Sequence, residues 1–454
     1  MNNKNDFHKI DFPDYGGKMY ELVRELFPIC RSITGNGVRE TLEIIKKHIP
    51  IKIHEVPSGT KVFDWIIPKE WNIKDAYVKN SKGDKIIDFK KSNLHILNYS
   101  SPINKKVTLS ELKEHLYTLP EYPNWIPYRT SYYKENWGFC IPHEQFKKLT
   151  EDEYEVVISS TLDKGHLTYG ELLLRGESQN EILFSCYICH PSMCNDNLSG
   201  VSLLTFLAKY LLNKKLKFSY RFLFIPETIG AITWLSINEK KIDRIKGGLV
   251  ATCLGDSGHI TYKKTRDGNS MIDKIVENIL KESGEKYEII DFFPAGSDER
   301  QFSSPGFNLP IGSITRTLYG KFPEYHTSAD NLDFVHPKNF QSTFEKYLSV
   351  IFELEEHFGG SSLSKSTQKH TKKTELMFKN IYPKCEPNLG KRGLYDMIGA
   401  KKDGMKDKMP IFWVLNFSDG ENSLLDISQR SKIELSDIKL AAKRLVESGL
   451  IQPI

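Results

Sequence analysis

Between residues 152 and 320, short runs that are apolar at nearly every position alternate with segments of helical periodicity. "EYEVVISSTL", "GELLLRG", "EILFSCYICH", "YRFLFIPET", "IKGGLVATCLGD" and "FNLPIGSITRT" read as strands, and "NLSGVSLLTFLAKYLLN", "ITWLSINE" and "NSMIDKIVENILKESG" as helices between them. A strand apolar on both faces must be covered on both faces. The alternation therefore predicts an α/β architecture, a largely parallel sheet flanked by helices. In such a sheet the ligand crevice lies beyond the carboxyl ends of the strands.

The residues at those ends are polar in a consistent way. His190 follows "ILFSCYIC", Asp196 precedes the helix "NLSGVSLL", Glu227 follows "YRFLFIP", Asp256 follows "LVATCLG", and His326 stands in "EYHTSADN" after the last strand. Taken singly, each is more often a cap or a surface group, and Asp196 is a good N-cap candidate. Together they form a mixed imidazole and carboxylate set suited to a dication such as zinc. Asp196 could bridge two ions, His190 and Asp256 completing one and His326 helping to hold the other. Glu227 is the candidate general base.

"CYICH" also fits the C-x-x-C-H haem-attachment pattern, and Cys186, Cys189, Cys194 and His190 suggest a cysteine zinc site. Both readings are weak. On a strand Cys186 and Cys189 face opposite ways, and no second Cys/His pair with ligand spacing appears elsewhere. Small buried hydrophobes are the expected role of these thiols.

The rest of the chain divides by texture. Residues 18–49 read as two helices, broken near Gly35 and Gly37. Residues 56–150 are rich in Trp, Tyr, Pro and Lys and read as a β-rich insertion. Within them "YPNWIPYRTSYYKENWGF" is either an aromatic core or a ligand-contacting surface over the crevice. Residues 359–374 read as a linker. The tail from 375 contains "SLLDISQRSKIELSDIKLAAKRLVESGLI", with helix-turn-helix proportions. Its Lys432, Lys439, Lys443 and Arg444 are set against Glu434, Asp437 and Glu447, too small an excess to favour DNA. A protein contact or self-association through this tail is expected instead. Lys and Arg exceed Asp and Glu by 63 to 58, which demands neither nucleic acid nor a membrane surface. No early apolar run of signal-peptide type and no membrane-spanning stretch appears. With an odd seven cysteines, this points to a cytoplasmic protein with reduced thiols.

Residues 182–335 resemble the co-catalytic zinc aminopeptidases of the zinc-exopeptidase class. "NDNLSG" is similar to the family's D-D/N-x-S-G bridge, and "FLFIPETIGAITWL" to its apolar strand ending in Glu-Glu. "AGSDERQFSSPGFNLPIGS" is similar to S-D-H-x-x-F…G-I-P, and "EYHTSADNLDFV" to Y-H-T-x-x-D-T-x-D. More narrowly the chain resembles uncharacterised bacterial aminopeptidase-like proteins with "CRSITGNGVRETL"-type starts, an inserted domain and a C-terminal winged helix, a group often labelled with polysaccharide biosynthesis. The resemblance implies a discontinuous catalytic domain over 1–55 and 151–358, an inserted domain over 56–150, and a winged helix-turn-helix-like domain over 375–454. It implies a metal-dependent hydrolase of peptide or acyl-amide bonds, holding one or two zinc ions through His190, Asp196, Asp256 and His326. Asp298, Glu299 and Tyr325 would lie on the substrate side. Three departures stand out. Thr228 replaces the second Glu, which makes Glu227 the base and deprives a second ion of a ligand. The spacing from His190 to Asp196 is short. Glu299 stands where the family has His. The alternative reading is an impaired aminopeptidase fold kept as a binding or regulatory protein.

Overall fold

The computed structural model describes residues 12–150, 153–357, 376–395, 399–401 and 408–454. The expected linker at 359–374 lies outside the described residues.

Eight strands form the main sheet: β1 (Lys52–Pro57), β2 (His166–Leu174), β3 (Glu181–Tyr187), β4 (Ser219–Ile225), β5 (Ile245–Ala251), β6 (Ile260–Lys263), β7 (Tyr287–Ile290) and β8 (Ile311–Thr315). Their spatial order is β1-β2-β4-β3-β5-β8-β6-β7. The central four, β4, β3, β5 and β8, run parallel, while β2 and β6 pair antiparallel at either side. Every residue of β3 and of β8 is buried, as their largely apolar sequences lead one to expect. Helices α1 (Gly16–Leu26), α3 (Ser199–Leu211) and α6 (Pro337–Glu356) pack on one face, and α4 (Ile229–Asn238) on the other. Helix α2 (Asn36–Lys46) follows α1, and α5 (Met271–Glu282) opens on a capping box between Ser270 and Asp273. The two faces separate the cysteines as well. Cys186 lies in the core beneath α3, and Cys189 in the core on the opposite side. All seven cysteines are free thiols.

One strand sits elsewhere than expected. "EYEVVISSTL" (Glu153–Asp163) pairs with Glu70–Lys79 and Ile103–Thr108 in a four-stranded sheet of the inserted domain. Its burial alternates along Tyr154, Val156 and Ile158, the pattern of a strand covered on one face only. The strand at 153–163 thus belongs to the sheet of residues 70–108 and not to the main sheet.

The tail holds helices α7 (Met409–Phe417), α8 (Leu424–Ser431) and α9 (Leu435–Glu447) with a three-stranded sheet of Met377–Asn380, Asp419–Ser423 and Ile451–Pro453. It is docked on the body. The Arg266 guanidinium donates to the Asn416 side chain (2.8 Å) and pairs with Asp419 (2.6 Å). Residues 385–388 thread between the main body and the insertion, with Cys385 N donating to Ser304 and Trp65 Nε1 donating to the Glu386 carbonyl. No helix of the described residues is long and apolar enough to cross a membrane.

Candidate metal centre

The loops after β3, β4 and β8 bring His190, Asp196, Glu227 and His326 together. His190 follows β3 directly, and Asp196 sits in the irregular turn Cys194–Leu198 that opens α3. Helix α3 approaches the end of β5 so closely that a Cβ on Gly200 would lie 2.2 Å from the Ala251 carbonyl oxygen. The "S-G" after Asp196 is thus a packing requirement. Asp196 Oδ2 lies 2.9 Å from His326 Nε2 and 3.9 Å from His190 Nε2. His190, Asp196 and His326 form one buried group of donor atoms mutually within 4.8 Å.

The protonation of this group follows from its neighbours. His326 Nδ1 lies 3.0 Å from the Ala400 carbonyl, which can only accept. Nδ1 therefore carries a proton, and Nε2 faces Asp196. Both Asp196 Oδ2 and His326 Nε2 are buried and neither forms a regular hydrogen bond. Two such atoms 2.9 Å apart need a cation between or beside them, a proton on Nε2 or a metal ion. An outer partner on one imidazole nitrogen, with the other aimed at a carboxylate, is the usual setting of a metal-binding histidine. Burial pushes His190 down to about 4, with the His326 and Arg31 charges adding and Asp196 opposing. It is neutral near pH 7, the state a ligand needs. For Asp196 burial opposes ionisation, but the His190 and His326 imidazoles and the Tyr187 hydroxyl outweigh it and hold the carboxyl below its ordinary range.

Glu227 stands at the edge of the group, its Oε2 3.8 Å from His190 Nε2 and its side chain 29% exposed. Burial, then the Asp298 and Asp196 carboxylates, push its carboxyl well above the usual range. A carboxyl of raised basicity, close to the donors yet open to solvent, suits proton transfer.

Aromatic rings wall the imidazoles. Tyr325 stacks on His326 (centroids 3.9 Å), and Tyr128 meets His326 edge-on at 5.3 Å and lies 5.2 Å from His190. Tyr128 comes from the inserted domain, in "YPNWIPYRTSYY". That segment is strapped over the His326 loop by Tyr128 N to the His326 carbonyl (2.8 Å) and by Ser328 N to the Ile126 carbonyl (2.8 Å). Tyr133, farther along, is 49% exposed. The aromatic run serves as core at one end and open surface at the other.

The carboxylates of Asp256, Asp298 and Glu299 are each held by partners of their own. Asp256 is not brought into the donor group. Its carboxylate accepts from Gly258 N (2.6 Å), the Thr317 hydroxyl (2.6 Å), Thr317 N (3.2 Å) and Asn195 Nδ2 (2.9 Å), so its lone pairs are taken. Glu299 is fully buried and pairs with Lys263 (2.6 Å), itself enclosed by the Phe292, Phe293 and Tyr319 rings. Asp298 is also buried. It accepts from Thr228 N (2.7 Å), fixing the turn after Glu227. Burial pushes it up to about 7, with Glu299 adding and the Thr228 amide and Arg300 opposing. Tyr325 acts on His326 rather than on open space. Thr228 points its hydroxyl toward Arg300 (3.4 Å).

Sequence reasoning missed Asp330 and Asn195. Asp330 accepts from Asn195 N (2.6 Å) and Asp196 N (2.9 Å), and so fixes the backbone of the central carboxylate. Burial pushes Asp330 up to about 8, with the Asp196 and Asp256 charges adding and the two amides opposing. The signal was present, since Asp330 lies in the quoted "EYHTSADN". Backbone strain marks the same region: Ser192, Thr228, Cys253 and His326 all have positive φ, from 41° to 62°. Such residues cluster where surrounding structure over-determines a functional arrangement.

The profile of a family described as a domain of unknown function (DUF4910) matches residues 20–357, and a winged helix-turn-helix profile matches 376–453. The chain belongs to the DUF4910 family. A Clostridium acetobutylicum protein named "Putative polysaccharide biosynthesis protein with aminopeptidase-like domain" is 57% identical over 437 residues, 96% of either chain. A crystal structure described as a "putative peptidase" from the same organism superposes with a TM-score of 0.74 at 55% identity, covering 97% of this chain and 96% of that one. BSAP, a zinc aminopeptidase from Bacillus subtilis, covers 76% of this DUF4910 chain and 96% of its own at a TM-score of 0.54 and 13% identity. A peptidase M28 precursor from Shewanella amazonensis gives 0.52 at 11%, covering 74% and 92%. The fold of this DUF4910 protein is thus aminopeptidase-like, with a C-terminal winged helix.

Proposed function

We propose that this protein is a zinc-dependent hydrolase of amide bonds. The observation that supports it is the convergence of His190, Asp196 and His326, with Asp196 Oδ2 and His326 Nε2 buried and facing each other without a regular hydrogen bond. Two imidazoles and one carboxylate are a suitable donor set for a single catalytic zinc with an open fourth position. When bound there, zinc supplies Lewis acidity toward a carbonyl oxygen and lowers the pKa of water.

The chain's own residues do the remaining work. Asp330 holds the Asp196 backbone, and the Ala400 carbonyl fixes the His326 tautomer. Glu227 takes a proton from the attacking water on its carboxylate and passes it to the leaving amine. The Tyr128 strap excludes water from one side of the imidazoles. The position of Asp256 and the turn of Thr228 toward Arg300 favour one ion over two. The substrate is a peptide or an acyl-amide. The name of the Clostridium relative puts amide-bearing precursors of a polysaccharide among the first compounds to test.

The test is elemental analysis of the purified full-length protein and of His190→Ala after dialysis against zinc, followed by turnover of aminoacyl and acyl-amide substrates. About one zinc per chain is expected, lost in the variant. A wild type that keeps no zinc removes the proposal and leaves a binding or regulatory role for the fold.

A further inference from the structure

The segment "CRSITGNGVRETL" supplies neither a donor atom nor the base of the proposed site, yet it contains Arg31, a fully buried side chain. No ion pair of Arg31 is formed among the described residues, so its charge is not matched by a carboxylate. Burying an unpaired guanidinium is costly, and the cost asks for a reason beyond filling space.

Its hydrogen bonds give one. Arg31 Nε donates to the His190 carbonyl at 2.8 Å, and Nη1 donates to the Leu26 carbonyl at 2.7 Å. Leu26 is the last residue of α1, whose exposed carbonyls favour a cation. Thr41 on α2 lies 3.5 Å from Nη1. The Arg31 carbonyl in turn accepts from Asn98 Nδ2 (2.8 Å), and Asn98 N donates to the Arg129 carbonyl, next to Tyr128. One side chain therefore joins the end of α1 to the backbone of His190, and its own backbone joins the strap that covers the same imidazole. Ser192, in the same loop and at positive φ, makes a second tie to α1 through its hydroxyl on the Phe27 carbonyl (2.6 Å).

We infer that Arg31 is a positioning residue of the metal centre: it fixes the backbone of His190 so that the imidazole points at Asp196 before any ion binds. This rests on the proposed zinc site. A neutral side chain of similar volume fills the space but leaves the His190 carbonyl unpaired and free to turn. A lysine keeps the charge but offers a single head nitrogen where the guanidinium fork reaches two carbonyls at once.

The test measures zinc affinity of full-length protein by competition with a chelator, for wild type, Arg31→Met, Arg31→Lys and Arg221→Met, together with the melting temperature of each metal-free form. Arg221 makes a part-buried fork to Glu171 and Glu181 on the same sheet and serves as a control for general destabilisation. Loss of an outer-shell partner typically weakens metal binding about 10–100-fold. That range is expected for Arg31→Met, a smaller loss for Arg31→Lys, and none for Arg221→Met despite a lowered melting temperature. If Arg31→Met does not fold, Arg31→Lys decides. Zinc affinity within about twofold of wild type in the foldable Arg31 variants overturns the inference, as does an equal loss in Arg221→Met. A wild type that binds no zinc removes the underlying site first, a result distinct from either.

Discussion

Replacing Asp196 by Asn tests the centre at its middle. The side chain is fully buried, sits 2.9 Å from His326 Nε2, and accepts from the Tyr187 hydroxyl. Asn has nearly the same shape and can keep the tyrosine contact, so packing is conserved. It removes a buried negative charge that raises the pKa of Glu227 and of Asp330, which offsets the loss of attraction to the imidazoles. The metal-free melting temperature of Asp196→Asn is therefore expected within about 2 °C of wild type, since two opposing effects nearly cancel. The zinc-loaded form should behave otherwise. Zinc at 1,000 times its Kd stabilises the wild type by about 4.1 kcal/mol. Unfolding entropy of about 2.1 cal/mol/K per residue over 454 residues is about 0.95 kcal/mol/K for a chain melting as one unit. Zinc should then raise the wild-type melting temperature by about 4 °C and leave Asp196→Asn unmoved. Differential scanning calorimetry with and without zinc reads both. An equal rise in the two proteins would mean that zinc binds somewhere other than Asp196, and the reasoning would fail.

Two further outcomes follow from the same geometry. Glu227→Gln should lower kcat on a cleaved amide by about 10²–10⁴ while zinc content stays at the wild-type level; loss of zinc in this variant would make Glu227 a ligand and not the base. Asp298 carries a pH signature. Its folded pKa of about 7 exceeds the 3.8 of the unfolded chain, so between about pH 4 and 7 the folded state holds a proton that the unfolded state has released. Stability then falls as pH rises through that window, by up to about 1.4 kcal/mol per pH unit from this group, and Asp298→Asn should remove this group's share of the fall in metal-free melting temperature between pH 4 and 7, leaving the share of Glu227 and Asp330; an unchanged slope contradicts the assignment.

What could be read from the sequence depended on whether a residue's role is set by its strand or by its loop. β3, β4, β5 and β8 are mostly apolar and almost wholly buried, and a strand buried on both faces leaves its next polar residue at the crevice. His190 and Glu227 follow such strands closely, and the structure brings their side chains within 3.8 Å of each other. Asp256 stands farther past its strand, where the direction of the side chain is decided by donors no periodicity reveals: the Gly258 amide, the Asn195 amide group and both donors of Thr317. Asp330 shows the converse. It too lies in a loop, and only the fold of that loop aims it at the amides of residues 195 and 196. Glu299 misled because motif position says nothing about a partner such as Lys263, brought from β6 into the core. The strand at 153–163 misled in a different way, because its alternation was visible and marked it as half-covered.

The departures from the aminopeptidase pattern form one account when placed in the structure. A second ion would need donors from the turn after β4 and the loop after β5. Here Thr228 in the first faces Arg300, and Asp256 in the second is saturated by amides and a hydroxyl. Both differences fall outside the group of His190, Asp196 and His326, which offers the three donors the proposed single zinc needs and has Glu227, the proposed base, 3.8 Å from His190. Substitutions that merely decayed an active site would be expected to strike this group as readily as its surroundings. Instead His190 keeps its neutral-ligand environment, both imidazoles keep their aromatic walls, and the ties from Arg31 to the His190 carbonyl, from Asp330 to the Asp196 amide and from the Ala400 carbonyl to the His326 ring are all in place. That arrangement is the one the proposed single-ion hydrolase requires.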